Sequence, residues 1–164
     1  MKQNVAKHNA KVNKTVDQTT PPPCNCKGGP DTCPVEGKCQ TKCVVYQATV
    51  VREDINSTET YTGLTSRRFK DRLYEHSSDI NNQEMEGTGL SEYIWKLKND
   101  NTPFKISWKI LSKCAPFNPT TRSCPLCLRE KFFIMFRPEG ATLNHRSEIF
   151  STCRHRLKPL LGNT

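Results

Sequence analysis

Between residues 24 and 43 the chain reads CNCKGGPDTCPVEGKCQTKC, five cysteines set among Gly, Pro, Asp and Lys with almost no apolar side chains. Such a segment cannot build a hydrophobic core, so something else must order it. The spacing Cys24-x-Cys26-x6-Cys33-x5-Cys39 places four thiols in a Gly/Pro-rich loop that can wrap one tetrahedral zinc ion. The binding free energy then takes the place of the missing core. Cys43 is a fifth thiol just beyond, and the spacing alone leaves open which four bind. Cys24, Cys26, Cys33 and Cys39 are favoured because Cys43 already begins a strand. Disulfides are the competing reading.

Composition bears on that choice. Hydrophobic residues make up 34% of 164 positions, which predicts a small core of the kind that needs staples. No apolar run is long enough to span a bilayer, and the first residues, MKQNVAKHNAKVNK, carry no signal-peptide pattern. These features predict an intracellular protein with no membrane partner, where thiols stay reduced and serve as metal ligands. The odd total of nine cysteines also disfavours a complete set of internal disulfides.

A second cluster begins with Cys124-Pro-Leu-Cys127 at an expected helix start. A lone CxxC can be a redox motif, but no thioredoxin-like βαβ context surrounds it. Cys153 and His155, in STCRHR, can complete a Cys3His zinc site and pin the C-terminal segment to that helix. Cys114 and His145 are reserve ligands. Cys127 as a small buried hydrophobe is the plainer alternative.

The chain divides into a basic arm (1–23), the cysteine-rich segment (24–43), a main domain (44–158) and a tail (159–164). Residues 1–20 hold four lysines against one aspartate and too little apolar surface to fold alone, which predicts a flexible arm. CVVYQATVVR (43–52) and ETYTGL (59–64) read as an antiparallel hairpin. Over 66–82, Phe69, Leu73, His76 and Ile80 repeat at the spacing of one helix face. A second helix is expected over about 90–99, a strand over 104–112 and a helix over roughly 125–136. That last helix is apolar nearly all round, which predicts a deeply buried element. The fold class is α/β: a small, mainly antiparallel three-stranded sheet flanked by helices, with an N-terminal zinc knuckle.

A net charge of +9 and a pI near 9.2 point to a polyanionic partner. Glu130 falls among Leu126, Phe133 and Ile134 on its helix, and an acid in an apolar stripe is costly unless it binds something. The plain alternative is a buried salt bridge to Arg137 or Arg72. Arg72 lies at the edge of the stripe made by Phe69, Leu73 and Ile80, where it can point its fork into a cleft or simply snorkel to the surface.

Val44-Val45-Tyr46, then Tyr61-Thr62-Gly63, Arg72 eleven residues after Tyr61, His76 one turn later, Glu130 on a later helix and Asn144 near the end follow one order along the chain. This order resembles the GIY-YIG nuclease family, although Val44 stands at the first glycine and Thr62 at the second isoleucine. The stretches YTGLTSRRFKDR, LSEYIWKLK, CPLCLREK and LNHRSEIFSTCRHR are similar to the endonuclease domain of Penelope-like retroelements. The likeness covers about residues 24–158. It implies a metal-dependent DNA endonuclease, cut from the end of a longer polyprotein that also holds a reverse transcriptase domain, and acting in the nucleus to nick DNA that primes reverse transcription. It implies catalytic roles for Tyr46, Tyr61, Arg72, His76, Glu130 and Asn144, with Glu130 holding Mg²⁺ or Mn²⁺.

Elementary chemistry agrees with those assignments. Hydrolysis of a phosphodiester needs an acceptor for the proton of water, positive charge on the phosphate and relief for the leaving oxygen. Tyr46 is the expected proton relay, Arg72 the phosphate fork and Glu130 the ligand of a hard cation. Arg67, Arg68, Lys70, Arg154, Arg156 and Lys158 are expected on DNA backbone, with little sequence information. A zinc-stabilised nucleic-acid-binding module without catalysis is the alternative function. The oligomeric state is left open.

Overall fold

The computed structural model describes residues 2–15, 21–82 and 87–155. Arg156, Lys158 and the tail 159–164 lie outside the described residues. Residues Lys2–Thr15, expected as a flexible arm, form a helix, α1. The segment contains no Gly or Pro, and its Lys, Gln and Ala are good helix formers, which local propensity favours once chain length suffices. No helix among the described residues is long and apolar enough to cross a membrane.

The cysteine-rich segment leads into β1 (Val44–Arg52), which turns at 53–56 into β2 (Ser57–Thr65). Asn56 takes a left-handed conformation in that turn, which its short polar side chain tolerates. The hairpin runs in register from Val44↔Thr65 to Arg52↔Ser57, so Tyr46 faces Gly63. Two helices follow, α2 (Phe69–Asn81) and α3 (Gly89–Asn99). Strand β3 (Phe104–Lys113) then pairs antiparallel with the other edge of β1. The sheet order is β2-β1-β3, all antiparallel, as expected from the sequence. The register of β1 with β3 shifts between Val45 and Tyr46, where Leu111 of β3 is the extra, unpaired residue.

Central β1 is buried on both faces, and its alternation separates two cores. Val44, Tyr46, Ala48 and Val50 pack with Phe69 of α2 and Leu90, Ile94 and Leu97 of α3. Val45 packs the other way, against Phe117, Cys124 and Leu126. Leu126 belongs to α4 (Pro125–Phe136). The expectation that α4 lies deep in the core is corrected here. Its inner face holds Leu126 and Ile134, but Leu128, Phe132, Met135 and Phe136 are exposed. A three-stranded sheet has width for one side of this helix, and no second layer among the described residues covers the other.

After α4 the chain returns along the free edge of β2. Leu143 N–H donates to Thr60 O at 2.8 Å, and Thr60 N–H donates to the Thr142 hydroxyl at 2.8 Å. The Asn144 side chain acts as a strand of one residue: its Oδ1 accepts from Thr62 N–H at 2.8 Å and its Nδ2 donates to Thr62 O at 2.7 Å. The edge is thereby satisfied without a fourth strand.

Gly89, at the start of α3, lets this returning segment approach. A Cβ there would lie 1.9 Å from the Leu143 carbonyl oxygen, a backbone atom that cannot swing aside. Gly89→Ala is therefore expected to lower unfolding free energy by about 1–3 kcal/mol, as overpacking does, and to expose 137–150 to limited proteolysis. Denaturant unfolding with proteolytic mapping checks both.

Candidate active site

Tyr46 is fully buried, with its ring edge-on to Phe69 at 5.2 Å. Its hydroxyl reaches over Gly63, where a Cβ would lie 2.6 Å from the phenol oxygen. Glycine at this position is therefore a space requirement. The same oxygen accepts from Arg72 Nε at 3.1 Å and lies 2.6 Å from His76 Nε2. Helix α2 puts Arg72 and His76 one turn apart on the face toward β1, as the sequence spacing predicts. Tyr61, two residues from Gly63 on β2, is buried with its ring 6.0 Å from that of His76. Trp108 of β3 closes the group, 5.3 Å from the His76 ring and 6.1 Å from Tyr46.

Burial sets the charge states. It pushes the Tyr46 phenol up to about 12, against the pull of the Arg72 guanidinium. It raises Tyr61 as well, with Tyr46 adding to the rise. Burial, and then the Arg72 charge, lower His76 to about 3. At neutral pH the tyrosines and the histidine are neutral, and Arg72 carries the positive charge. His76 Nδ1 is buried with no hydrogen-bond partner. A buried polar atom left this way is costly, so its position is held by the packing around it.

Glu130 of α4 faces the same region. Its carboxyl is raised to about 7, first by burial and then by the nearby Glu148. Among the described residues no basic side chain forms an ion pair with it. The salt bridge to Arg137 or Arg72 is thus not formed, and Arg137 instead lies over the Phe133 ring at 5.5 Å. Arg72 acts on Glu130 only through its field. Asn144 Nδ2 also donates to Glu148 Oε2 at 2.5 Å, so Asn144 links β2 to the second carboxylate. Burial raises the Glu148 carboxyl too. An incoming divalent cation would relieve both the burial and the mutual repulsion of Glu130 and Glu148.

Two thiol clusters flank this site. The ligand atoms of Cys24, Cys26, Cys33 and Cys39 all lie within 4.8 Å of one another, and so do those of Cys124, Cys127, Cys153 and His155. Each set could hold a zinc ion. In the first, Cys26 Sγ is 3.8 Å from Cys39 Sγ, which is 3.5 Å from Cys24 Sγ. A tetrahedron with Zn–S bonds near 2.3 Å has edges of about 3.8 Å. Contact with Cys24, then burial and Cys39, pushes Cys26 up to about 12, so these thiolates need a cation to coexist. In the second set, His155 Nδ1 lies 3.7 Å from Cys124, 3.2 Å from Cys127 and 3.8 Å from Cys153. Cys43 stays outside the first set and starts no strand; it turns with φ 54° just before β1. The reserve ligands stay outside both sets: Cys114 Sγ lies 3.9 Å from the Ser112 hydroxyl, and His145 Nε2 meets Glu92 Oε2 at 3.2 Å.

Each cluster braces one half of the site. Arg68, the N-cap of α2, gives no side-chain cap. The first amides of α2 instead find carbonyls of the cysteine-rich segment: Phe69 N–H donates to Thr41 O at 2.9 Å and Lys70 N–H to Cys39 O at 2.8 Å. Lys70 Nζ adds a bond to Asn25 Oδ1 at 2.8 Å. The second cluster joins the start of α4, which bears Glu130, to the end of the segment that bears Asn144 and Glu148.

The basic residues expected on DNA divide. Arg68 pairs with Asp71 at 3.0 Å, Lys70 holds Asn25, and Arg67 meets Glu75. Arg154 is exposed. Glu75, Glu148 and Trp108 are the site residues that sequence reasoning missed. Glu75 was readable as the i+3 partner of Arg72. Trp108 and Glu148 come from distant segments and gave no local signal. The chain matches no family model, no characterised protein and no solved structure with which it was compared.

Because the folded pKa of His76 lies below its unfolded value, the unfolded chain binds a proton that the folded chain refuses between about pH 6.5 and 3. Stability is therefore lost as pH falls below about 6.5, at up to about 1.4 kcal/mol per pH unit. Between pH 7 and 4.5 the raised Glu130 carboxyl contributes a slope of opposite sign, so the share of His76 is read as a difference: in denaturant unfolding, His76→Gln should lose less stability than the native chain as pH falls, by up to about 1.4 kcal/mol per pH unit.

Proposed function

We propose that this chain is a metal-dependent DNA endonuclease of the GIY-YIG type, with a Penelope-like retroelement as its source. The observation that carries the reading is the convergence on one phenol oxygen of Arg72 Nε at 3.1 Å and His76 Nε2 at 2.6 Å. A buried tyrosine flanked by a guanidinium and a neutral imidazole suits proton relay beside a phosphate, and it has no evident use in a passive zinc module.

In this reading a phosphate of DNA lies against Arg72, whose fork neutralises charge as the phosphorus becomes five-coordinate. The proton of the attacking water passes by way of the Tyr46 oxygen to solvent, while His76 Nε2, which stays neutral, and Arg72 Nε orient the phenol. The hydroxide forms the new bond to phosphorus, and the bond to the leaving deoxyribose oxygen breaks, with solvent supplying its proton. Neither Tyr46 nor His76 carries a standing charge before the step, because burial disfavours both ionised forms. Glu130 is the residue that would hold Mg²⁺ or Mn²⁺; its raised carboxyl and lack of an ion-pair partner fit a cation. Such an ion supplies Lewis-acid stabilisation of phosphate and leaving oxygen. Zinc at the two thiol clusters is structural. A reverse transcriptase domain of the same polyprotein is the expected partner, and the nucleus the expected location.

The test is conversion of supercoiled plasmid to nicked circle with Mg²⁺, Mn²⁺ or EDTA. Cleavage should need the metal and fall at least about 10²-fold in Glu130→Ala and in Arg72→Ala. A protonated carboxyl cannot hold the cation, so the rate at limiting Mg²⁺ should drop as pH falls below about 7. Equal cleavage by the native chain and both folded variants would refute the reading. DNA binding without any cleavage would favour the non-catalytic zinc module.

A further inference from the structure

Arg72 and Arg67 share one carboxylate. Glu75 Oε2 accepts from Arg72 NH1 at 3.0 Å, and its other oxygen, Oε1, accepts from Arg67 NH2. Arg67 lies just before α2, Arg72 on its first turn and Glu75 one turn further along, on the rim of the site. Arg72 is tied on its inner side to Tyr46, so Glu75 takes the donor that points outward.

We propose that Glu75 is an internal stand-in for the DNA phosphate, a built-in competitor that occupies the two-arginine fork until a phosphodiester displaces it. This rests on the reading of Arg72 as a phosphate contact. The chemistry matches in three ways. A carboxylate and a phosphodiester each carry one negative charge. Each offers two equivalent acceptor oxygens, one for each guanidinium. Each is held by Arg more readily than by Lys, because the planar fork binds oxygen pairs.

The exposure of the three side chains makes exchange feasible. Glu75 is 34% exposed, Arg67 59% and Arg72 24%. Glu75 can therefore swing into water, where its charge is solvated, while Arg72 stays fixed by Tyr46. The bridge is of the partly exposed kind that costs little to break. Its effect is to keep the fork ordered and its charge partly cancelled in the free protein, so that only a ligand able to replace both hydrogen bonds opens it.

Asp79 provides the comparison. It lies on the same helix and forms no ion pair among the described residues. Asp79→Asn changes net charge by the same amount as Glu75→Gln, and so reports the general gain from removing one negative charge near DNA.

The test measures binding of the full chain to a short labelled duplex in EDTA, by fluorescence anisotropy, so that no cleavage intervenes. Glu75→Gln and Glu75→Ala should tighten binding about five- to tenfold, the range for two partly exposed ion pairs that need no longer be broken. Asp79→Asn should give much less. In a chain that also carries Arg67→Ala and Arg72→Ala, Glu75→Gln should gain no more than Asp79→Asn does. With Mg²⁺, Glu75→Gln should lower KM for plasmid. Two Glu75 variants are used so that a folding defect in one, read by thermal unfolding, leaves the other informative. Binding no tighter than that of Asp79→Asn overturns the proposal, and a fall in kcat at unchanged KM makes Glu75 a mere anchor for Arg72. If Arg67→Ala and Arg72→Ala themselves leave affinity unchanged, neither arginine meets phosphate, and the nuclease reading of the fork fails with this inference. If they weaken binding while the Glu75 variants do not strengthen it, only this inference fails.

Discussion

The first amides of a helix need acceptors, and α2 has no side chain at its start to supply one. The carbonyls of Thr41 and Cys39 fill that need. They belong to a segment with too little apolar surface to hold its own shape, so the position of α2 depends on whatever orders four clustered thiols. Arg72, Glu75 and His76 all ride on α2. The other half of the site has the same dependence in mirror form, since Cys124 and Cys127 lie at the head of the helix that bears Glu130, and Cys153 and His155 close the segment that bears Asn144 and Glu148. The site is thus suspended between two clusters, while the sheet supplies Tyr46, Tyr61 and the space above Gly63.

Between the clusters the electrostatics divide along the same line. On the α2 side, burial keeps Tyr46, Tyr61 and His76 neutral, and the charge lies on Arg72 and Arg67 with the Glu75 carboxylate they share. On the α4 side, two carboxyls are crowded and partly desolvated, and no cation among the described residues is paired to Glu130. In the proposed reading, a phosphodiester meets the first half and a divalent ion the second.

Much of this was legible in the sequence because it is periodic or local. Phe69, Leu73, His76 and Ile80 announced the buried face of α2, and the β-branched run of 43–52 announced the central strand. Both thiol clusters were legible with their favoured ligands, because thiol spacing in a Gly/Pro-rich loop is a local pattern. The apolar composition of α4 was misleading: it is apolar all round, yet the sheet is wide enough for one face only, and Leu128, Phe132, Met135 and Phe136 remain exposed. Asn144 was assigned by resemblance, but its clasp on Thr62 could not be read, since the two lie 82 residues apart. Arg67, Arg68 and Lys70 read as a free basic run. Their partners Glu75, Asp71 and Asn25 give them structural duties that charge counting does not register.

The claim that each cluster positions one half of the site is tested most directly by amide hydrogen exchange on the zinc-loaded chain and on Cys26→Ser and Cys127→Ser, with zinc content measured in parallel. Two zinc ions per native chain and one in each variant are expected. Cys26→Ser should speed exchange in α2, and Cys127→Ser in α4 and 138–150, while β1 stays protected in both. Loss of protection through the whole chain in either variant, or unchanged protection in α2 and α4 despite loss of the metal, would contradict the account.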